Sequence, residues 1–194
     1  MANDDRLVTS PALTALVVVD LQKGIVSRPS EPHASGAVIA NAARMANALR
    51  AKGGFIVLVR VAFSADMRDV LRPISDEAAP GGTMPPDWAD IVPELGPRPG
   101  DHIVTKRQWG AFYGTDLDQQ LRRRGIGTLI LSGISTCFGV ESTARAAYER
   151  GYQQLFAEDA MAARSAAEHE HTITRIFTRL GRVRRTADIL AALA

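Results

Sequence analysis

The chain has 194 residues, of which 46% are hydrophobic and 23% charged, as is typical of one folded domain. No apolar run reaches the roughly 18 residues that a membrane-spanning helix needs. The 23 basic and 21 acidic residues leave a net charge of +2 and form only short basic clusters, so nucleic-acid binding is not favoured. We expect a single domain over residues 1–194 that acts on a small molecule, with no nucleic-acid or membrane partner.

The N-terminus and the cysteine content indicate the compartment. Residues 1–6 include two acidic residues. A secretory signal instead begins with a basic segment, which an apolar segment follows. The single cysteine, Cys137, has no partner for an intramolecular disulfide. We therefore expect a cytoplasmic protein with one free thiol.

Strand-like apolar runs alternate with helix-like segments in the first half of the chain. Residues 15–20 form a continuous apolar run that ends in an acid, which is typical of a strand buried on both faces of a parallel sheet. Ser35 is placed to cap a helix that extends to about residue 52. Residues 55–61 and 102–105 predict the second and third strands.

The segment between these two strands interrupts the alternation. Residues 62–100 contain seven of the ten prolines and no clear periodicity. A connection of this length is usually functional. A lid, a substrate-specificity loop and an oligomer arm all fit, and the sequence does not choose among them.

The second half returns to alternating strands and helices. Residues 115–118 and 165–168 each match the capping-box pattern that opens a helix. Six β-α repeats in this length predict a three-layer α/β/α sandwich with a six-stranded, mainly parallel, doubly wound sheet. The predicted elements are a helix to Arg124, a strand over 128–134, a helix from about Cys137 to Arg150, a strand over 152–157, a helix to about Leu180, a strand over 182–184 and a helix capped by Thr186.

The ends of the predicted strands select the residues that can carry chemistry, because ligands of parallel sheets bind at the carboxyl ends of the strands. The first strand ends in Asp20, the third in Lys106, and the fourth in residues 133–139, which open a helix whose free N–H groups can hold an oxyanion. Lys106 is one of only three lysines against twenty arginines. An amine, unlike a guanidinium, can lose its proton when buried. We expect Asp20 and Lys106 to act together from neighbouring strand ends.

Three motifs carry a family resemblance: residues 16–22, residues 105–106 followed by 111–117, and residues 133–136 followed by 140–145. Over about residues 12–193 the chain resembles the isochorismatase-like, or cysteine hydrolase, superfamily. The resemblance implies a homo-oligomeric hydrolase (a dimer or tetramer) and a cis peptide bond between Ile134 and Ser135. It implies catalytic positions at Asp20, Lys106 and the start of the helix after the fourth strand. The substrate-binding positions that it implies are Gln22, Phe112, Ile134, Ser135 and Thr136.

One position departs from the amidohydrolase members of this superfamily. When residues 140–143 are placed in the family register, Gly139 occupies the position of the nucleophilic cysteine. Cys137 lies two residues earlier, a rotation of about 200° on a helix, so we expect its thiol to point elsewhere. With a glycine at this position the chain resembles the true isochorismatases, which cleave a vinyl ether without a covalent intermediate.

The glycine variant predicts acid-catalysed chemistry. A protonated Asp20 would deliver a proton to the enol-ether carbon, water would add to the resulting cation, and Lys106 would hold a carboxylate or oxyanion. Burial would have to raise the pKa of Asp20 against the opposing effect of Lys106. Ser135 stands where isochorismatases usually carry a larger aromatic residue, so isochorismate is one candidate substrate.

Two other interpretations stay open. In one, Cys137 attacks an amide as a thiolate, with Asp20 as the base and Lys106 as the cation that lowers its pKa. In the other, the protein binds a ligand without turnover. Trp109 and Tyr113 can line the pocket or pack in an oligomer contact.

No metal and no other cofactor are predicted. Metal-binding members of the superfamily carry aspartate and histidine after the second strand, where residues 60–66 contain no histidine. His169 and His171 are two residues apart and cannot form a one-face pair on a helix, so we expect them on a solvated face. Asp159 is expected to cap a helix or a loop.

Overall fold

The computed structural model describes residues 10–77 and 84–193. The acidic residues of segment 1–6 and Pro80 of the proline-rich segment therefore lie outside the described residues. Within the described part of the chain, no helix is both long enough and apolar enough to cross a membrane.

The sheet has six parallel strands in the order β3-β2-β1-β4-β5-β6. The chain starts at the centre, moves outward to β3, and then returns to place β4 on the other side of β1. The winding therefore reverses between β1 and β4, and their carboxyl ends border the crevice where such folds bind ligands. The strands are β1 (Thr14–Val19), β2 (Phe55–Val61), β3 (His102–Lys106), β4 (Thr128–Ile134), β5 (Gln153–Ala162) and β6 (Arg182–Arg184).

Helices cover both faces of the sheet and bury two separate apolar clusters. One cluster contains the buried faces of α2 and α7, and the other contains those of α3 and α4. The predicted three-layer sandwich is confirmed. The helices are α1 (Lys23–Val26), α2 (Ser35–Ala51), α3 (Leu117–Arg123), α4 (Glu141–Glu149), α5 (Ala166–His171), α6 (Thr178–Leu180) and α7 (Thr186–Leu193), with π-helical turns at Thr136–Val140 and Thr172–Phe177.

The fifth strand is longer than predicted. A register shift between Leu131 and Gly133 of β4 allows β5 to continue pairing as far as Ala162. Asp159 therefore lies inside β5 rather than near its end. Its Oδ1 accepts hydrogen bonds from the N–H and the hydroxyl of Thr186, both at 2.7 Å, so its predicted capping role is confirmed for α7.

Three of the predicted helix caps are wrong. Thr186 is the first residue of α7, and its hydroxyl donates to Asp159 instead of capping the helix. Ser35 is already the first residue of α2, and its hydroxyl lies 3.0 Å from that of Ser30. α3 begins at Leu117, one residue later than a capping box from Thr115 requires, and the Thr115 hydroxyl donates to the carbonyl of Ala111, so no capping box forms. The Asp116 carboxylate, which precedes the helix, contacts His102 and Gln120 instead. The capping box of residues 165–168 is confirmed at α5.

The later part of the proline-rich segment packs along the carboxyl end of β1. The N–H of Val92 donates to the carbonyl of Leu21, and the N–H of Gly24 donates to that of Trp88. Arg50 of α2 holds the end of the segment through an ion pair of 2.6 Å with the buried Asp101. The first two contacts place residues 88–92 next to the crevice, whereas the ion pair holds the end of the segment at the opposite edge of the sheet.

Candidate active site

The first catalytic candidate, Asp20, directly follows β1. Its N–H donates to the carbonyl of Val59, and its φ of 55° lies in the left-handed region. Non-glycine residues rarely adopt this conformation, and such strain concentrates at functional sites. The turn directs the carboxylate into the crevice.

Lys106 reaches Asp20 across the end of an intervening strand. β3 pairs with β2 and not with β1, so the expectation of neighbouring strand ends is wrong by one strand. The long lysine side chain spans this gap, and its Nζ lies 2.7 Å from Asp20 Oδ2, with side-chain exposures of 1% and 9%. Nζ also donates to the carbonyl of Trp109. The result is a buried ion pair at the winding reversal.

Burial and the ion pair act on Asp20 in opposite directions. Desolvation is the largest effect and raises the pKa of Asp20 to about 6, while the charge and hydrogen bond of Lys106 lower it. The other carboxylate oxygen, Oδ1, is buried and has no hydrogen-bond partner among the described residues. Burial therefore outweighs the effect of Lys106 on the pKa of this carboxyl group.

A glycine allows β4 to approach β1 closely at this point. A β-carbon on Gly133 would lie 2.0 Å from the carbonyl oxygen of Val19, and the φ of Gly133 is 127°. Only glycine fits both conditions. The peptide bond between Ile134 and Ser135, one residue further along the chain, is cis, as the resemblance implies.

Gly139 lies in the π-helical turn that follows and contacts the ion pair. A β-carbon at this residue would lie 3.1 Å from Asp20 Oδ2 and 3.3 Å from Lys106 Nζ. The first atom of a side chain at position 139 would therefore lie against both charged groups. Hydrogen bonds hold the turn in place, because the Thr143 hydroxyl donates to the Gly139 carbonyl at 2.7 Å and accepts from the N–H of Ala111.

Cys137 faces another part of the molecule. It borders a shallow depression of about 410 Å³ together with Glu168, His171 and Thr172. Burial and the negative charge of Glu168 raise the pKa of the thiol to about 11. The thiol is therefore protonated at neutral pH, which makes it a weak nucleophile.

The side chain of Gln22 is fully engaged by the backbone. Its Nε2 donates to the carbonyls of Val61 and Trp88, at 3.0 and 3.2 Å, and its Oε1 accepts from the N–H of Val61 at 2.8 Å. The buried amide thus joins β2 to the segment of residues 84–101.

Phe112 is buried at a distance from the crevice. Its ring packs near Tyr152, with 6.0 Å between centroids, and the guanidinium of Arg150 lies 4.9 Å from its centroid. Tyr152 precedes β5 and therefore lies at the amino edge of the sheet, opposite to Asp20. The contacts of this ring do not bring it to the ion pair.

The other implied substrate-binding residues follow one another at the end of β4. Ile134 is buried in the core, and the carbonyl of Ser135 accepts hydrogen bonds from the N–H groups of Phe138 and Val140. The Thr136 hydroxyl is buried and lies 2.9 Å from Nδ1 of His169. Of these three, Ser135 is the only one that is not buried.

Two features escaped the sequence reasoning. The Phe138 ring packs against Trp109, with 4.9 Å between centroids, beside the residues that contact Lys106. The sequence signal for this pair was Trp109, an aromatic residue three positions after Lys106. His169 is buried rather than on a solvated face, so that expectation is wrong, whereas His171 is exposed as expected.

The fold agrees with the comparisons to known proteins. The Isochorismatase domain matches residues 14–188, so the chain belongs to the isochorismatase family and is a hydrolase. It is 55% identical over 179 residues to the uncharacterized isochorismatase family protein YwoC of Bacillus subtilis, covering 91% of this chain and 92% of that protein. The solved structure of an isochorismatase family protein from Burkholderia thailandensis is 44% identical, with a TM-score of 0.91, covering 94% of this chain and 96% of that one.

More distant relatives have names that state different roles. The ureidoacrylate amidohydrolase RutB of Methylorubrum extorquens is 33% identical and covers 93% of this chain and 83% of that protein. The phenazine biosynthesis protein PhzD1 of Pseudomonas aeruginosa is 30% identical and covers 97% of this chain and 90% of that protein. The comparisons therefore define the family and leave the bond that is cleaved open.

Proposed function

We propose that this hydrolase cleaves a vinyl ether in a small carboxylated substrate, such as isochorismate, without a covalent cysteine intermediate. The observation that carries the proposal is the placement of Gly139. The position next to Asp20 and Lys106, where a nucleophilic side chain would stand, is a glycine and carries no side chain. The cysteine of the chain lies elsewhere with a raised pKa.

In the proposed reaction Asp20 is the general acid. Its proton passes to the terminal carbon of the enol ether, which leaves an oxocarbenium ion at the ether-bearing carbon. Water adds to that carbon and returns a proton to the Asp20 carboxylate, and the hemiketal then collapses to a ketone and an alcohol. For isochorismate the ketone is pyruvate.

Lys106 supplies positive charge in this reaction. Its ammonium group is fixed by Asp20 and the Trp109 carbonyl, so it can attract a substrate carboxylate without reorganising. The unpartnered Oδ1 of Asp20 is the atom that we assign to proton transfer, because Oδ2 is engaged by the ammonium.

The remaining residues shape the pocket in this proposal. Ser135 and Thr136 border the substrate at the end of β4, and Ile134 supports them from the core. Gln22 positions residues 84–101 through its backbone contacts rather than by touching the substrate. In this proposal the aromatic wall of the substrate pocket is Phe138 and not Phe112.

The experiment measures product release by the wild type, Cys137→Ala and Asp20→Asn. Pyruvate is assayed with isochorismate, and ammonia with a panel of amides. We expect pyruvate release that survives Cys137→Ala and is lost in Asp20→Asn. Ammonia release that disappears in Cys137→Ala would refute the proposal.

The similarity to ureidoacrylate amidohydrolase supports one alternative, amide hydrolysis through Cys137. This reaction requires the thiol to turn toward Asp20 and to lose its proton. The position of Cys137 in a depression that α5 also lines, and its raised pKa, oppose these two steps. The same assay distinguishes the two functions.

We also propose a cytoplasmic homo-oligomer, a dimer or tetramer, whose reaction needs no metal. Trp109 and Tyr113 support the association, because these large apolar residues are 64% and 81% exposed. Sedimentation equilibrium of the wild type and of Tyr113→Ser measures the effect of that surface on assembly.

A further inference from the structure

A second cluster of functional groups adjoins Thr136, whose hydroxyl lies 2.9 Å from Nδ1 of His169. It consists of His33, which precedes α2, Glu158 in β5, and His169 in α5. One ligand atom from each of these residues lies within 4.8 Å of those from the other two. The three residues come from separate elements, and the proposed reaction uses none of them.

We propose that His33, Glu158 and His169 bind one divalent transition-metal ion, with Zn²⁺ as the best fit. Two imidazoles and a carboxylate form a ligand set that zinc prefers, with the fourth position open to water. The ion would connect the loop before α2 to β5 and α5.

The geometry needs little adjustment to hold the ion. Ligands at ordinary zinc distances in a tetrahedral site are about 3.3 Å apart. His33 Nε2 and Glu158 Oε2 are already 3.2 Å apart. The other separations have to shorten by at most about 1.5 Å, which side-chain rotation supplies.

The surroundings orient the two histidines. Nδ1 of His169 lies 2.9 Å from the buried Thr136 hydroxyl, so an Nδ1–H donated to that oxygen leaves Nε2 free to ligate. His33 is held because its carbonyl accepts from the Ser30 hydroxyl, and because Glu31 exchanges two backbone hydrogen bonds with Ala163. Such outer contacts are typical of metal-binding histidines.

One cation competes for the carboxylate. Arg185 Nε lies 3.7 Å from Glu158 Oε1 and equally far from Asp159 Oδ2. The arginine side chain is largely exposed and contacts the oxygen that faces away from His33. Oε2 therefore remains available to the metal.

The test is a titration of the chelator-treated full chain with ZnSO₄, followed by calorimetry and by melting temperature. We expect one ion bound per chain and a melting temperature that rises with Zn²⁺ concentration. His33→Ala and Glu158→Gln should weaken binding by about a hundredfold or more, and Thr136→Val by about tenfold to a hundredfold.

Two histidine variants serve as matched controls. His171→Ala removes an exposed histidine from α5, and His102→Ala breaks another histidine–carboxylate pair, 2.9 Å long. Both should bind Zn²⁺ like the wild type. The proposal is overturned if the wild type binds no Zn²⁺ up to millimolar concentrations, or if His33→Ala and Glu158→Gln, shown to be folded by circular dichroism, bind it as tightly as the wild type.

Discussion

Gly139 and Cys137 are two residues apart in the same π-helical turn and face different surroundings. The β-carbon position of Gly139 lies 3.1 Å from Asp20 Oδ2, whereas Cys137 borders a depression against α5. A shift of two positions turns a helical side chain by roughly half a turn. The thiol and the catalytic ion pair therefore occupy separate environments.

Replacement of Asp20 by asparagine should abolish most of the activity. The amide in Asp20→Asn keeps the shape of the side chain but cannot supply the carboxylic proton, so we expect kcat to fall by about 10²- to 10⁴-fold. Asp101→Asn is the matched control, because it also removes the carboxylate of a buried ion pair, with Arg50, away from the crevice. Equal losses in the two variants, measured by pyruvate release, would contradict a catalytic role for Asp20.

The activity should depend on pH through Asp20. The protonated form donates the proton, and its pKa is raised to about 6. We therefore expect kcat/KM to be level below about pH 6 and to fall by about tenfold per unit at higher pH. A rate that instead rises through pH 6 would identify Asp20 as a base. Initial rates over a pH series with isochorismate give the profile.

A methyl group at position 139 should obstruct the site. In Gly139→Ala the new β-carbon would lie 3.0 Å from Val19 Cγ1 and 3.3 Å from Lys106 Nζ, so we expect kcat/KM to fall by at least about tenfold. Gly110→Ala is the control, because its β-carbon meets its nearest neighbour, in Ser142, at 3.6 Å. Unchanged kinetics in Gly139→Ala would show that substrate does not use this space.

The thiol of Cys137 should be slow to react. Because the pKa of this thiol is about 11, only about one molecule in ten thousand carries it as a thiolate at pH 7. We expect slow alkylation by iodoacetamide that accelerates with rising pH, and full pyruvate release after alkylation. Gly139→Cys in a Cys137→Ala background places the thiol beside Lys106 and should be alkylated faster at pH 7.

Loss of the Gln22 amide should destabilise the protein. Gln22→Met keeps most of the volume but leaves two carbonyls and the N–H of Val61 without partners, which costs about 1–3 kcal/mol of the free energy of unfolding. Gln154→Met is the control, because the buried Oε1 of Gln154 has no hydrogen-bond partner among the described residues and its Nε2 makes one long hydrogen bond, 3.4 Å to the carbonyl of Leu180. Urea unfolding of both variants measures the difference, and an equal effect would exclude a special role for the Gln22 contacts.

The order of strands and helices could be predicted from the sequence because short-range patterns encode it. Apolar runs such as 55–61 and 128–134 coincide with β2 and β4, and the residues that end the strands include Asp20 and Lys106. The family motifs added the register in which Gly139 replaces a cysteine. Helix caps were less predictable, because a side chain near a helix start can bind a residue from another element instead. The Asp116 carboxylate, for example, contacts His102 of β3.

Only the tertiary structure determined the pKa of Asp20 and the contacts between residues that are distant in sequence. Strand ends reveal which groups can meet, but the pKa of Asp20 depends on how completely packing removes water from the carboxylate. His33 and Glu158 are 125 residues apart in sequence and 3.2 Å apart in space, and no local pattern connects them. Packing brings together groups that the linear sequence keeps separate, which is why the second site emerged only from the fold.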